Sequence, residues 1–223
     1  MISPKYATTH YYLSVKTLSQ SKTAPHIVNL YLDYNCPFSA KLFLKFYGNV
    51  IPELQKRYPD KFQFVFVNVI QPWHTNSVLL NEFSLAYAKL LRVKQAEVEI
   101  DSISTFWDFS KILFENKEQF YETSNINLTK NQIYEQIYDV VAATKFDFKI
   151  PKEAILEQLI IKPSKEPNND GNGSTVDVKY FTRYLRGVGV HITPTVSIDG
   201  IVADNISSGT PEEELIEIFA SKL

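Results

Sequence analysis

Two stretches of the chain carry dense apolar runs of strand length. Residues 26–34 read His-Ile-Val-Asn-Leu-Tyr-Leu-Asp-Tyr, and 61–70 read Lys-Phe-Gln-Phe-Val-Phe-Val-Asn-Val-Ile. Both are rich in β-branched and aromatic residues, the composition of buried strands. From Pro37 the pattern changes period. Phe38, Leu42, Leu44, Phe46, Val50 and Leu54 predict a helix of about 20 residues that frays at the turn Tyr58-Pro59-Asp60. A proline suits the first turn of a helix, where its missing N–H costs nothing. Strand, helix and strand in this order predict a parallel βαβ unit.

Residues 75–164 change character. Helical periodicity predicts helices over 76–92, 96–116, 129–144 and 151–161, with Thr129-Lys130-Asn131-Gln132 a capping-box start. No strand pattern interrupts them, so 75–164 reads as an inserted helical subdomain. Phe106, Trp107, Phe109, Phe114, Phe120, Tyr121, Tyr134 and Tyr138 read as its core rather than as a ligand box. A polar, turn-rich run starts at residue 163, and 165–174 is expected to be a flexible loop. A helix follows over 175–185, ending near Gly187 and Gly189. Residues 195–198 read as a strand, Asp199-Gly200 as a tight turn and 201–203 as the partner strand. A last helix starts at Thr210, with Glu212, Glu213 and Glu214 in its first turn, as the helix dipole favours. Residues 25–74 and 175–223 together form the α/β domain; 1–24 are a tether or supply an edge strand around Tyr11 to Val15.

Composition narrows the function classes. At 223 residues the chain fits one domain carrying a large insertion. A net charge of −2 without a basic run argues against a nucleic-acid footprint. No stretch has the length and apolarity of a membrane span, and the first residues lack a signal-peptide core. One cysteine excludes a disulfide-stapled scaffold and fits a reducing compartment. The last three residues, Ser221-Lys222-Leu223, match the peroxisomal address. They predict a peroxisomal matrix protein with the import receptor as a partner, against a helix that ends in these residues by chance. Deleting the three residues from a fluorescent fusion is expected to disperse its punctate signal; puncta that survive the deletion refute the address.

Cys36 carries the candidate chemistry. It stands where the first strand pattern gives way to the helical one, so its thiol lies at a helix N-terminus. Free N–H groups and the positive dipole end stabilise a thiolate there. With no second cysteine, any disulfide must be made with another molecule. Three residues on stands Ser39, either a hydrogen-bond donor to the thiolate or an exposed first-turn residue. Pro37 offers no N–H to the thiolate, and Phe38 is either an exposed apolar contact or packs into the insertion. Gln71-Pro72-Trp73-His74 follows the second strand, and parallel strands end on one edge, which puts this turn near Cys36. Trp73 is a stacking platform or a packing residue. His74 is a proton donor to a leaving thiolate, or a solvated helix-start residue. Asp33 caps the turn into the helix or relays a proton. His26 and His191 have no metal-ligand spacing, and no zinc, haem, phosphate-loop or Ser-His-Asp pattern is present. No metal is expected.

The segment Asp33-Tyr34-Asn35-Cys36-Pro37-Phe38-Ser39 resembles the active-site segment of DsbA-like thioredoxin-fold proteins. Gly189-Val190-His191-Ile192-Thr193-Pro194-Thr195-Val196 resembles their cis-proline loop. That superfamily includes 2-hydroxychromene-2-carboxylate isomerases and kappa-type glutathione transferases. The resemblance, from residue 26 onward, implies an α/β, thioredoxin-like fold with an inserted all-helical subdomain. It implies a cis peptide before Pro194, facing Cys36, and a Thr193 backbone that pairs with an extended peptide or glutathione. Pro37, Phe38, Trp73, Thr193 and Pro194 are then the binding residues, and Cys36, Ser39 and His74 the catalytic ones. A hydroxyl at Ser39 cannot resolve a mixed disulfide near neutral pH. The implied activity is therefore a monothiol, glutathione-linked thiol–disulfide oxidoreductase, with glutathione as co-substrate and no bound cofactor. Two alternatives stand beside it. One is a catalytically inactive module that binds peptides or proteins. The other is a kappa-type transferase or isomerase, a class that uses serine where this chain has Cys36.

Overall fold

Alternation along the two apolar runs decides the layers. The structure, a computed structural model, describes all 223 residues. β1 (His26–Leu32) and β2 (Phe62–Asn68) pair in parallel with Leu30 opposite Phe66. Val28, Leu30, Leu32, Phe62, Phe64 and Phe66 enter one core, while Tyr31, Val65 and Val67 enter a second core on the other face. Burial on both faces explains why neither run shows polar alternation. β3 (Thr195–Ile198) lies antiparallel on the other side of β1, and β4 (Ile201–Val202) antiparallel to β3, giving the order β2-β1-β3-β4. Asp199 and Gly200, at φ 51° and 86°, form the β3–β4 turn, a linkage that needs left-handed residues.

The run after Cys36 is helical from Pro37 to Arg57, as its period predicts, with a change of helix type inside it. After α1 (Val15–Gln20), α2 (Pro37–Lys45) and α3 (Ile51–Arg57) are joined by a π-helical turn over Phe46–Val50. Pro52 supplies the reason. Inside a regular helix its ring would meet the carbonyl of Gly48, and a wider turn relieves that contact.

The insertion comprises α4 (Ser77–Glu97), α5 (Ser102–Glu115), α6 (Lys130–Ala143) and α7 (Lys152–Glu157). α4 runs five residues past the predicted end. α5 starts at Ser102 instead of residue 96, because the Asp101 side chain accepts the Ser104 N–H at 2.9 Å and caps it there. Thr129 and Gln132 form the capping box of α6. The insertion does not keep a core of its own. Trp107 of α5 stacks on Phe43 of α2 with centroids 5.7 Å apart, and one apolar cluster runs from Phe83 and Phe109 through to the sheet. The polar loop at 165–174 has no regular structure, but its end is anchored: the Gly173 N–H donates to the Gln158 carbonyl at 2.7 Å.

The first residues are packed, and they form no strand reaching Val15. Tyr11 makes a single antiparallel bridge with Val65, the Phe66 N–H donates to the His10 carbonyl, and Val15 already begins α1. Ile2 and Tyr6 are buried, and the Tyr6 hydroxyl donates to Asp177 at 2.6 Å. His10 is fully buried, 4.4 Å from the Phe106 ring and 5.5 Å from that of Phe181. Burial, reinforced by the Arg92 charge, pushes its imidazole down to about 3, so it is neutral and structural.

α8 (Thr175–Val188) covers the second face of the sheet through Phe181 and ends at Gly189, whose φ of 73° suits a left-handed cap. α9 (Glu212–Ala220) packs Phe219 against Phe46, Phe62 and Phe64 on the other face. No helix is long and apolar enough to cross a membrane.

Candidate active site

Three connections meet on one sheet edge. β1 and β2 are parallel and β3 runs opposite to them. The turns that leave β1 and β2 therefore share an edge with the loop that enters β3. These turns hold Cys36, Gln71 to His74, and Thr193-Pro194.

Cys36 is the N-cap residue of α2, in extended backbone conformation. Its N–H donates to the Asp33 carbonyl at 3.0 Å and its own carbonyl accepts the Ala40 N–H at 3.1 Å. The side chain is 4% exposed. Its Sγ donates to the Thr193 carbonyl at 3.6 Å, and the peptide bond from Thr193 to Pro194 is cis. The thiol and the proline loop are thus in direct contact. Pro37 occupies the first turn of α2.

Ser39 is buried, so the exposed first-turn reading fails. Its hydroxyl accepts the Asp33 N–H at 3.2 Å and closes the turn from beneath; no bond to the Cys36 sulfur is present in this arrangement. Phe38 and Trp73, for which packing was one reading, are 61% and 62% exposed. With Ile192, also 61% exposed, they leave apolar side chains in solvent on all three of the converging turns. Beside Pro194 a groove of about 310 Å³ is lined by His191, Ile192, Thr195, Val202 and Asp204 among others. A larger polar cavity, about 460 Å³ between α7 and the loop that follows it, holds none of the site residues.

Asp33 does more than cap. Its carboxylate is fully buried and accepts from the Ser77 hydroxyl at 2.6 Å, from the Asn35 N–H at 3.0 Å and from His74 Nδ1 at 2.7 Å. Burial raises its carboxyl above the ordinary range, against the opposing pull of Ser77, His74 and the Asn35 N–H. The bond to Asp33 orients the His74 ring: with Nδ1 donating to the carboxylate, Nε2 is left as the acceptor. Glu122 accepts from both the N–H and the hydroxyl of Thr75 at 2.8 Å. Those bonds, with the nearby His74 charge, hold its carboxyl below the usual range. The insertion therefore grips the segment after β2 from the outside.

Two residues escaped the sequence reading. Gln71 is buried, and its Nε2 donates to the His191 carbonyl at 3.0 Å and to Thr193 Oγ1 at 3.3 Å. It ties the β2 turn to the proline loop. The available signal was an amide at the end of a fully buried strand, where a polar side chain must find partners. Tyr121, assigned to the insertion core, is instead only half-buried. Burial raises its hydroxyl, and Glu118 and Cys36 raise it further. Ser221, Lys222 and Leu223 are exposed and extend the last turn of α9, remote from the site: the Lys222 N–H donates to the Phe219 carbonyl and the Leu223 N–H to that of Ala220.

The buried carboxyl has a measurable consequence. A carboxyl whose folded pKa is raised favours its protonated form in the fold. Stability from Asp33 is thus present near its ordinary value of 3.8 and is lost as pH rises through the raised one. Asp33→Asn removes the charge, so its melting temperature relative to that of the wild type is expected to rise as pH increases from near 3.8 through the raised value. Thermal melts across that range check this; a margin that shrinks with pH contradicts it.

No protein-family model matches the sequence, and no curated protein sequence matches it. Solved structures do. A proposed protein-disulfide isomerase from Pseudomonas syringae superposes with a TM-score of 0.63 at 22% identity, covering 88% of this chain and 94% of its own. The fold is that of the DsbA-like thioredoxin proteins. Oxidised BdbD from Bacillus subtilis superposes at 0.56 with 22% identity, over 96% of this chain and 97% of its own. The reduced disulfide bond oxidoreductase DsbG of Mycobacterium tuberculosis does so at 0.56 with 17% identity, over 95% and 85%. The DsbA-like fold is a thioredoxin-like α/β unit with an inserted helical subdomain, and this chain carries one cysteine within it.

Proposed function

We propose that the chain is a monothiol thiol–disulfide oxidoreductase in which Cys36 is the nucleophile and glutathione the co-substrate. The observation that carries the reading is the contact between Cys36 Sγ and the carbonyl preceding cis-Pro194. It joins the thiol of the residue at the start of α2 to a loop with backbone groups for an extended substrate. Two of the similar structures named above, described as a protein-disulfide isomerase and a disulfide bond oxidoreductase, support the same chemistry.

The step balances without a second protein thiol. The Cys36 thiolate attacks the glutathione sulfur of a mixed disulfide, forms Cys36–glutathione and releases the substrate thiolate, which takes a proton. A glutathione thiolate then attacks the adduct, giving glutathione disulfide and the free Cys36 thiolate. His74, oriented by Asp33, accepts the Cys36 thiol proton on Nε2 as the thiolate forms and passes it to the leaving substrate thiolate. Phe38, Trp73 and Ile192 give the apolar side chains of an extended substrate a place to rest.

The test is mass spectrometry of the protein with glutathione disulfide. One glutathione is expected per chain, removed by excess glutathione. Absence of the adduct under all conditions refutes the reading. The burial of Cys36, only 4% exposed, favours a second reading, a groove that holds a peptide without turnover. Peptide binding with an unreactive thiol selects that one.

His74→Ala tests the proton step separately. It is expected to lower the exchange rate by about a factor of 10², most for leaving thiols of high pKa. A uniform loss for all leaving groups assigns His74 to structure instead.

A further inference from the structure

Three cations share one exposed face of α8. Lys179, Arg183 and Arg186 stand at i, i+4 and i+7, the spacing that aligns side chains along one side of a helix. All three are exposed, and none enters an ion pair. The only carboxylate on α8, Asp177, is buried and taken by Lys5 and Tyr6. The cations on the opposite, packed side of the helix are separate from this stripe: Arg92 of α4 lies over the Tyr6 ring at 5.1 Å, and Lys89 reaches the Gly173 carbonyl before the helix starts. The chain as a whole carries −2, so the stripe is a local feature.

Its direction matters as much as its sign. α8 runs toward the edge that holds Cys36, because the loop it feeds enters β3 there. Arg186 stands one turn before the capping Gly189, and four residues later Thr193 meets the Cys36 sulfur. From Lys179 to Gly189 the helix spans about 15 Å, the reach of about four or five extended residues. Exposed Ile192 stands on the loop between Gly189 and Thr193. An extended chain reacting at Cys36 and crossing Ile192 would bring its flanking residues over Arg186 and Arg183.

We propose that this stripe is the docking surface for an acidic segment of the polypeptide substrate, within about ten residues of its reacting sulfur. The identity of the substrate rests on the exchange reading of Cys36; the surface itself does not. Nucleic acid is the poorer fit, because the protein is net acidic and the stripe one residue wide. An anionic membrane surface is also a poorer fit, since clusters recognising such lipids hold about four to eight cations.

The experiment uses the full-length Cys36→Ser protein and labelled peptides of about 12 residues that differ only in acidic, neutral or basic flanks. Fluorescence anisotropy at low salt is expected to show the acidic peptide binding about tenfold tighter than the neutral one, with the advantage fading at high salt. Combining Arg183→Gln with Arg186→Gln should remove most of that advantage, and Arg183→Glu with Arg186→Glu should reverse it. Equal binding of the three peptides overturns the proposal. So does an acidic preference that survives both double variants, or binding of anionic vesicles or RNA through these residues without any peptide preference. Glutathione adduct formation on the wild type separates the two readings. An inert Cys36 with the acidic preference intact removes the exchange reading and leaves the docking surface; exchange without preference does the reverse.

Discussion

The Cys36→Ser protein is expected to lose thiol–disulfide exchange down to the uncatalysed background while remaining fully folded. A serine hydroxyl is not ionised near neutral pH, and the thiolate is the nucleophile in this chemistry. No other side chain can take its place, because Cys36 is the only cysteine and the Ser39 hydroxyl is buried against the Asp33 N–H. The fold should not suffer. Cys36 is the N-cap residue of α2 and makes no side-chain cap bond, whereas serine is among the preferred N-cap residues. The variant should therefore melt at or above the wild-type temperature. Residual exchange in this variant, measured with a glutathionylated peptide, would show that the chemistry lies elsewhere. A large fall in melting temperature would show that the thiol is structural.

The largest stability effect is expected at Phe66. This residue is fully buried in β2, where the α/β domain and the insertion share their core. Its ring lies 5.3 Å from Tyr34 and 5.7 Å from both Phe43 and Phe106, with Trp107 at 6.2 Å and Phe114 at 6.3 Å. Phe66→Ala removes a ring that touches β1, α2 and α5 together. Truncations of this kind cost about 3–5 kcal/mol, a large share of the roughly 5–15 kcal/mol that holds a domain folded. Urea unfolding, run on the Cys36→Ser background to avoid intermolecular disulfides, measures it. Phe38 provides the contrast: it is 61% exposed, so Phe38→Ala should shift stability by no more than about 0.5 kcal/mol. A Phe66→Ala cost as small as that would mean that the two subdomains do not share a core.

Local pattern was enough for the elements around the site. The runs at 26–34 and 61–70, the helical period from Pro37 and the Asp199-Gly200 turn placed β1, β2, α2 and the hairpin, because periodicity and turn chemistry are properties of neighbours in sequence. The same local rules put Cys36 at a helix start and Gln71 to His74 on its edge. Boundaries were less legible. The break before α5 depended on the Asp101 side chain, and the π-helical turn on the position of Pro52.

Contacts between distant residues were settled only by the folded chain. Whether Trp73, Phe38 and Ser39 face water or the core depends on which surfaces the insertion covers. It left the first two exposed and buried the third. The pairing of Asp33 with His74, 41 residues apart, and of Gln71 with Thr193, 122 apart, has no signature in either segment. Each polar group finds its partner because burial leaves it no water, and that burial exists only after β1, β2 and β3 have met. The sequence by itself determined the strand–helix periods, the lone thiol and the edge it occupies. Tertiary structure decided which polar groups must satisfy one another there, since desolvation is a property of the assembled core and not of any single segment.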